Sequence, residues 1–238
     1  MTAPLTRLDS SPDLVEQVHQ RLLDAICAGQ LAPGTRLTQE ELAEQLSVSR
    51  QPVIQALRLL KADGLVQDAP GLHGTKGRGV LVAPLDAGLI RHIYQVRSAL
   101  DALAARLAAE RRVVLDPALL AQGRQAVAQA DVAAMLKADQ AFHRAIYAAS
   151  GNPLIEGSAM LHWTHIRRAM GLVLQHSSLR ASVWDEHAAM ADAIARGDVH
   201  AVTPLAVQHC EQAGQHLCEQ MSHVQAQPAT PQVNSVVP

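Results

Sequence analysis

From Pro84 to Met221 the apolar residues of this chain return at every third or fourth position, broken only by short polar or Gly/Pro interruptions. A 3.6-residue period held over so long a stretch specifies amphipathic helices and argues against strands, whose side chains alternate with a period of two. Aromatic content points the same way. Trp163, Trp184, Tyr94, Tyr147 and Phe142 make up only 2% of the 238 residues, too few for the aromatic-rich surfaces of a sandwich or barrel. Ile90, Ile93, Leu100, Leu103 and Leu107 mark the inward face of a long first helix. Asp116-Pro117, Asp131, Asn152-Pro153 and Asp198 are start signals, and Gly151 and Gly197 are stops. The pattern predicts about six helices, one of them running unbroken from Asn152-Pro153 to His176 and the next starting near Ser178. Short connections make this an antiparallel bundle.

Residues 1–83 read differently. Leu14, Val18, Leu22 and Ile26 share one helix face, with Gly29 as its stop and Pro33-Gly34 as a turn. Thr38 with Glu41 three residues on is a capping box for a second helix, whose Leu42 and Leu46 face inward. Ser49 can cap a third helix with Pro52 in its first turn; Val53, Ala56, Leu57 and Leu60 form its buried stripe. Leu65-Val66 and Val80-Leu81-Val82 are short enough for a hairpin around a Gly-rich loop. The expected fold is therefore mainly α: a winged helix-turn-helix in 1–83, an all-helical bundle in 84–221, and a polar, proline-containing disordered tail in 222–238.

Composition narrows the function. Three cysteines (Cys27, Cys210, Cys218) form no Cys-x-x-Cys pair and no disulfide framework. Met1 to Ser10 lacks the basic start and apolar core of a signal peptide, and no apolar run is long enough to span a bilayer. The expectation is a reduced, cytoplasmic protein without membrane contact. A formal net charge of −2 does not announce a nucleic-acid binder, so such a reading has to rest on local pattern.

That pattern exists. Away from its core stripe, the third helix presents Ser49, Arg50, Gln51, Gln55 and Arg58, with Thr38 at the start of the helix before it. The loop after it carries His73, Lys76 and Arg78. Residues 1–83 hold eight cationic against nine acidic side chains, yet Arg50 to Arg78 holds five against two. Arg reads guanine bidentately, while Ser, Lys and backbone N–H groups hold phosphate. Amphipathic helices in proteins that never meet DNA show similar faces.

Gly29-Gln30-Leu31-Ala32-Pro33-Gly34-Thr35-Arg36-Leu37 and Glu41-Leu42-Ala43-Glu44-Gln45-Leu46-Ser47-Val48-Ser49-Arg50-Gln51-Pro52-Val53, continued by Ala56-Leu57-Arg58-Leu59-Leu60 and Asp63-Gly64-Leu65-Val66, resemble the DNA-binding domain of GntR-family bacterial transcription regulators. The resemblance implies a homodimer whose recognition helices read an inverted-repeat operator in double-stranded DNA. Arg50 and Arg58 match contact positions of the family, and Gly79 matches its wing glycine. Ile54 and Gln55 stand where the family usually has Arg and Glu, so the resemblance does not carry the family's operator sequence over to this chain.

In the helical part Asp139 and His143 are four residues apart and share a helix face, and His187 and His209 sit inside later helices. The flanking apolar residues turn all four inward. Three imidazoles and one carboxylate suit Zn²⁺, Ni²⁺ or Mn²⁺ and leave coordination positions open. Hydrogen-bonded core histidines fit the same spacing, and His162 with His165 forms a decoy pair. Tyr94-Gln95-Val96-Arg97-Ser98-Ala99-Leu100-Asp101 with Ala104-Ala105-Arg106-Leu107-Ala108, then Asp139-x3-His143, Asn152, Glu186-His187-x2-Met190 and His209, resemble the FCD effector domain of the FadR-like GntR subgroup. This implies a helical bundle, often with a divalent metal on one Asp and three His, zinc above all, and a small carboxylate as effector. Arg97 matches an effector-facing arginine; it could equally form a core ion pair with Asp101. The expected function is a metabolite-responsive repressor and not an enzyme. The alternative is a metal-dependent enzyme with a fused winged helix, since a His₃Asp site could activate water.

Overall fold

The computed structural model describes residues 14–70, 76–176 and 182–226. The chain divides into two units, Met1–Leu85 and Asp86–Pro238. In the first, α1 (Leu14–Cys27), β1 (Arg36–Leu37), α2 (Gln39–Gln45), α3 (Arg50–Ala62), β2 (Val66–Pro70) and β3 (Lys76–Val82) follow in order. Val18, Leu22, Ile26, Leu42, Val53, Ala56, Leu57, Leu60 and Leu65 close one core between the three helices and the sheet. Leu14 stays outside it at 51% exposure, because the core begins one turn later at Val18. The Thr38 hydroxyl accepts from the Glu41 backbone N–H and donates to Glu41 Oε2, so the capping pair forms through the side chains. Ser49 occupies the N-cap position of α3, but its hydroxyl makes no cap bond.

Among the described residues the sheet has three strands, in the order β1-β3-β2 with antiparallel neighbours. β1 is an addition to the expected hairpin. Two residues are too few to show an alternation, and Arg36 and Leu37 become a strand only by pairing with Leu81 and Val80. Gly79 is needed at this junction: its φ is +81°, and a Cβ there would collide with the Leu37 carbonyl.

The second unit holds α4 (Ala87–Glu110), α5 (Ala118–Ala128), α6 (Val132–Ala149), α7 (Pro153–Met160), α8 (Trp163–His176), α9 (Val183–Arg196) and α10 (Val199–Ala226). Four of these starts are set by side-chain caps: Asp86, Asp131, Asn152 and Asp198 each accept from a backbone N–H of the first turn. Gly197 ends α9 in the left-handed conformation. α4 and α10 run antiparallel, shown by three rungs: Ala87 O with Cys218 Sγ, Tyr94 against Gly214, and Asp101 with Cys210 Sγ.

Three details differ from the sequence reading. Pro153 to His176 is two helices, parted at Leu161-His162. The apolar period stays in phase across the break, with Ile155, Ala159, Trp163 and Ile166 all buried, so the pattern does not mark it. The long first helix buries Tyr94, Arg97, Asp101, Ala104 and Ala108, while Leu103 is 36% exposed and Leu100 and Leu107 lie at the edge. Alanines win the inner face because they let α4 approach its neighbours closely. Finally, α10 continues past Met221 to Ala226, its last turns supported by a Ser222 hydroxyl bond to the Cys218 carbonyl. The expected helix start at Ser178 and the tail from residue 227 onward lie outside the described residues.

Gly123 on α5 faces the Trp184 ring so closely that a Cβ would overlap it. Gly123→Ala is expected to destabilise the protein by about 1–3 kcal/mol through overpacking, read as a lower midpoint in thermal or denaturant unfolding. An unchanged midpoint would mean that Trp184 can move aside.

Candidate functional site

The exposed face of α3 carries Ser49, Arg50, Gln51 and Arg58, with Gln55 partly buried and Thr38 partly buried at the start of α2. Pro52, Val53, Ala56, Leu57 and Leu60 hold the opposite face in the core. Ile54 is partly buried. Arg50 pairs with Glu40 across the turn at 3.1 Å, both side chains largely exposed. A pair of this kind is worth about 0–1 kcal/mol and exchanges readily for another anion. Lys61, counted among the cations of this region, is committed to Asp68 at 2.6 Å. Lys76 and Arg78 lie on β3, and His73 falls outside the described residues.

The four inward-facing residues of the bundle meet. α6 supplies Asp139 and His143 one turn apart, α9 supplies His187, and α10 supplies His209; all four are buried. One nitrogen of each imidazole lies within 4.8 Å of the others. His187 Nε2 is 3.3 Å from His209 Nε2, and Asp139 Oδ1 is 3.7 Å from His187 Nε2 and 3.9 Å from His143 Nε2. Ligands bound at about 2.0–2.1 Å in a tetrahedron stand about 3.4 Å apart, so little movement would bring these four onto one ion. His143 Nε2 is buried without a hydrogen-bond partner among the described residues. A polar atom left in that state is costly, which fits a group that completes it. His162 and His165 are not part of this cluster.

The outer nitrogens explain why the inner ones converge. His143 Nδ1 lies 3.2 Å from Asp101 Oδ2, and His209 Nδ1 lies 2.8 Å from Glu186 Oε2. Ser182 holds the other Glu186 oxygen at 2.7 Å. His187 is oriented by rings instead, stacked on Phe142 at 4.2 Å and met edge-on by Trp184 at 4.7 Å. Such partners fix the tautomer and aim of a ligand imidazole. The role of Asp101 is not visible in the sequence pattern, where it reads only as a neighbour of Arg97. In the structure it receives Arg97 Nε at 3.3 Å, the Tyr147 hydroxyl at 2.5 Å and the Cys210 thiol at 3.1 Å, besides His143. Burial works against its ionisation, yet Arg97, His143 and Tyr147 hold its carboxyl well below the usual carboxylate range. Burial, with help from the Arg97 charge, also pushes the His143 imidazole below its ordinary value, so the neutral form that binds metal is favoured.

The ion pair expected of Arg97 is present, and the same side chain lines a cavity. It pairs with Asp101, and its Nη1 lies 3.5 Å from the Tyr94 hydroxyl, while Nη2 is buried with no hydrogen-bond partner among the described residues. Its guanidinium also covers the Trp163 ring at 4.6 Å. Arg97, Asp139 and His209 line a common cavity.

Residues 14–75 match the family described as bacterial regulatory proteins, gntR family, and residues 92–212 match the FCD domain. This chain is a GntR-family transcription regulator with an FCD domain. It is 31% identical over 182 residues to an HTH-type transcriptional regulator in an unstable DNA locus of Streptomyces ambofaciens, covering 76% of this chain and 75% of that one. It is also 31% identical to the HTH-type transcriptional regulator LutR of Bacillus subtilis, over 71% of this chain and 85% of LutR. Its fold is shared by E. coli McbR/YncC, with a TM-score of 0.70 at 24% identity over 90% of this chain and 99% of that one. A GntR-type regulator from Rhodococcus sp. RHA1 gives 0.69 at 24% identity, over 86% and 97%. The enzyme alternative has no support from the family, whose members regulate transcription. No helix among the described residues of this GntR regulator is long and apolar enough to cross a membrane.

The Asp101 cluster sets a pH dependence. The folded value of Asp101 lies below its unfolded value of about 3.9, so its stabilisation is full at neutral pH and is lost as the pH falls through that range. His143 is likewise lowered, so the unfolded chain takes its proton first, from about pH 6.5 downward. Metal-free protein is expected to lose stability below about pH 6.5 through His143 and further below about pH 4 through Asp101. Asp101→Asn should cost about 3–5 kcal/mol at neutral pH by leaving buried Arg97 without its counter-charge. Denaturant titrations at several pH values check both; a flat profile would contradict them.

Proposed function

We propose that this regulator is a homodimeric, cytoplasmic repressor released from its operator by a small carboxylate bound beside a divalent metal. The observation that carries the reading is the convergence of three imidazole nitrogens and the Asp139 carboxylate at a cavity onto which Arg97 also opens. Asp139, His143, His187 and His209 would hold the ion; zinc suits them best, with nickel or manganese as the other candidates. A bound ion supplies positive charge and open coordination positions. Arg97 Nη2 supplies a directional donor to the same carboxylate, and charge-assisted bonds of this kind are the strong ones in a dry site. A ligand that binds one arrangement of the dimer better than another shifts operator affinity by that difference.

On the DNA side, Arg50 and Arg58 are the proposed base readers. Thr38, Ser49, Gln51, Gln55, His73, Lys76 and Arg78 are the proposed positioning contacts. A second copy of the chain is supported by α4, where Leu89, Val96 and Leu103 recur every seven residues and remain 41%, 52% and 36% exposed. That is an apolar stripe of the kind a helix-to-helix contact covers.

Two experiments test the proposal. Fluorescence anisotropy with the protein's own upstream DNA is expected to show Arg50→Ala and Arg58→Ala each weakening specific binding by about 1–3 kcal/mol. Lys76→Ala should weaken operator and random DNA alike and flatten the salt dependence. Equal losses on both DNAs for all three variants would remove the base-reading assignment. Elemental analysis should find one divalent ion per chain, released in acid as protons compete for the ligand imidazoles. His187→Ala or His209→Ala should abolish both ion and carboxylate response while DNA binding persists. Normal carboxylate response in these variants would reduce the cluster to core histidines.

A further inference from the structure

The cavity that holds Arg97 has a far end. His209 and His216 both line it from α10. They are seven residues apart, which places them on one helix face and about 10.5 Å apart along the axis. Because α4 runs antiparallel, with Asp101 beside Cys210 and Tyr94 beside Gly214, Arg97 comes at a level between His209 and His216. His216 stands beyond it, and its Nε2 is buried without a hydrogen-bond partner among the described residues. The rest of the lining is mostly apolar, Met170, Val173, Leu174, Val183, Ala213 and Leu217, with Tyr94 and Asp139 completing it.

Two buried nitrogens without a hydrogen-bond partner among the described residues, on residues that line one largely apolar cavity, describe a ligand. The geometry points to a carboxylate with an aliphatic or aromatic middle and a hydrogen-bonding group at its far end, the head held by Arg97 and the far end read by His216. This rests on the proposed effector role of the cavity and adds the chemical class and a specificity-determining residue. A polyhydroxy acid or a compact tricarboxylate fits poorly. Its extra oxygens would be buried against Met170, Val173 and Leu174 with nothing to bond them. The far group is uncharged or weakly polar, since only one imidazole nitrogen meets it, and that nitrogen donates or accepts according to its tautomer.

The test uses full-length, zinc-loaded protein titrated with propanoate, octanoate, 8-hydroxyoctanoate and citrate. Binding is read by calorimetry and by tryptophan fluorescence, because Trp163 lies against Arg97 at 4.6 Å. Octanoate is expected to bind at least about tenfold more tightly than propanoate, as each buried methylene adds to affinity. 8-Hydroxyoctanoate should gain a further few-fold, and that second gain should vanish in His216→Phe while octanoate affinity is retained. His216→Gln, which keeps a hydrogen-bonding group, should restore part of it and guards against a folding defect. Ala213→Phe should block octanoate but spare propanoate. Equal affinity for propanoate and octanoate, or tighter binding of citrate, would overturn the ligand class while leaving a carboxylate effector standing. A hydroxyl gain that survives in both His216 variants would remove His216 from the assignment. Failure of every acid to bind would take down the effector reading itself.

Discussion

An ionised carboxylate inside an apolar helical bundle survives only if charge and hydrogen bonds surround it, and Asp101 meets that condition through residues from three helices. Arg97 comes from its own helix, His143 and Tyr147 from α6, and Cys210 from α10. Each partner is thereby fixed in turn. The His143 ring presents Nε2 to the histidine cluster because Nδ1 is occupied, and Arg97, held through Nε, lines the cavity with Nη2 left without a hydrogen-bond partner among the described residues. Arg97 and His143 thus join the candidate metal centre and the candidate ligand pocket through one anion. Removing that anion would loosen both.

The rest of α4 shows why the cluster sits where it does. Below Asp101 the helix buries Ala104, Ala105, Ala108 and Ala109 at essentially zero exposure. Small side chains let helix backbones approach closely, so this half of the bundle is dense. Above Asp101 the same helix presents Tyr94 and Arg97, and Gly214 on α10 makes room for the tyrosine ring. One end of the helix pair closes the core and the other opens a cavity. In the DNA-binding unit the division of labour is between faces of a single helix. Val53, Leu57 and Leu60 anchor α3, which leaves Arg50 and Arg58 exposed on a rigid support.

Much of this was legible in the sequence because it depends on local rules. The 3.6-residue period turned Asp139, His143, His187 and His209 inward, and all four are buried. Asp131, Asn152 and Asp198 announced helix starts through their caps, and Gly197 announced a stop. Residue spacing around Pro33-Gly34 and Ser49 to Pro52 carried the family resemblance. Where local rules are silent the reading was incomplete. The break at Leu161-His162 keeps the apolar phase, β1 is too short to alternate, and the leucines expected to lead α4 inward yield to alanines and an ion pair.

By itself, then, the sequence determined the helical class, the two-part organisation, the exposed polar face of α3 and the inward orientation of Asp139, His143, His187 and His209. Each follows from neighbours within a few turns of the chain. Only the tertiary structure decided what those residues do for one another. Asp101 meets Tyr147 at a separation of 46 residues and Cys210 at 109. Glu186 orients His209 from 23 residues away. The cavity is walled by residues of five helices, and His216 becomes a candidate contact only because α10 lies along α4. Contacts of that range are set by how whole helices pack, which no period or cap within one helix encodes.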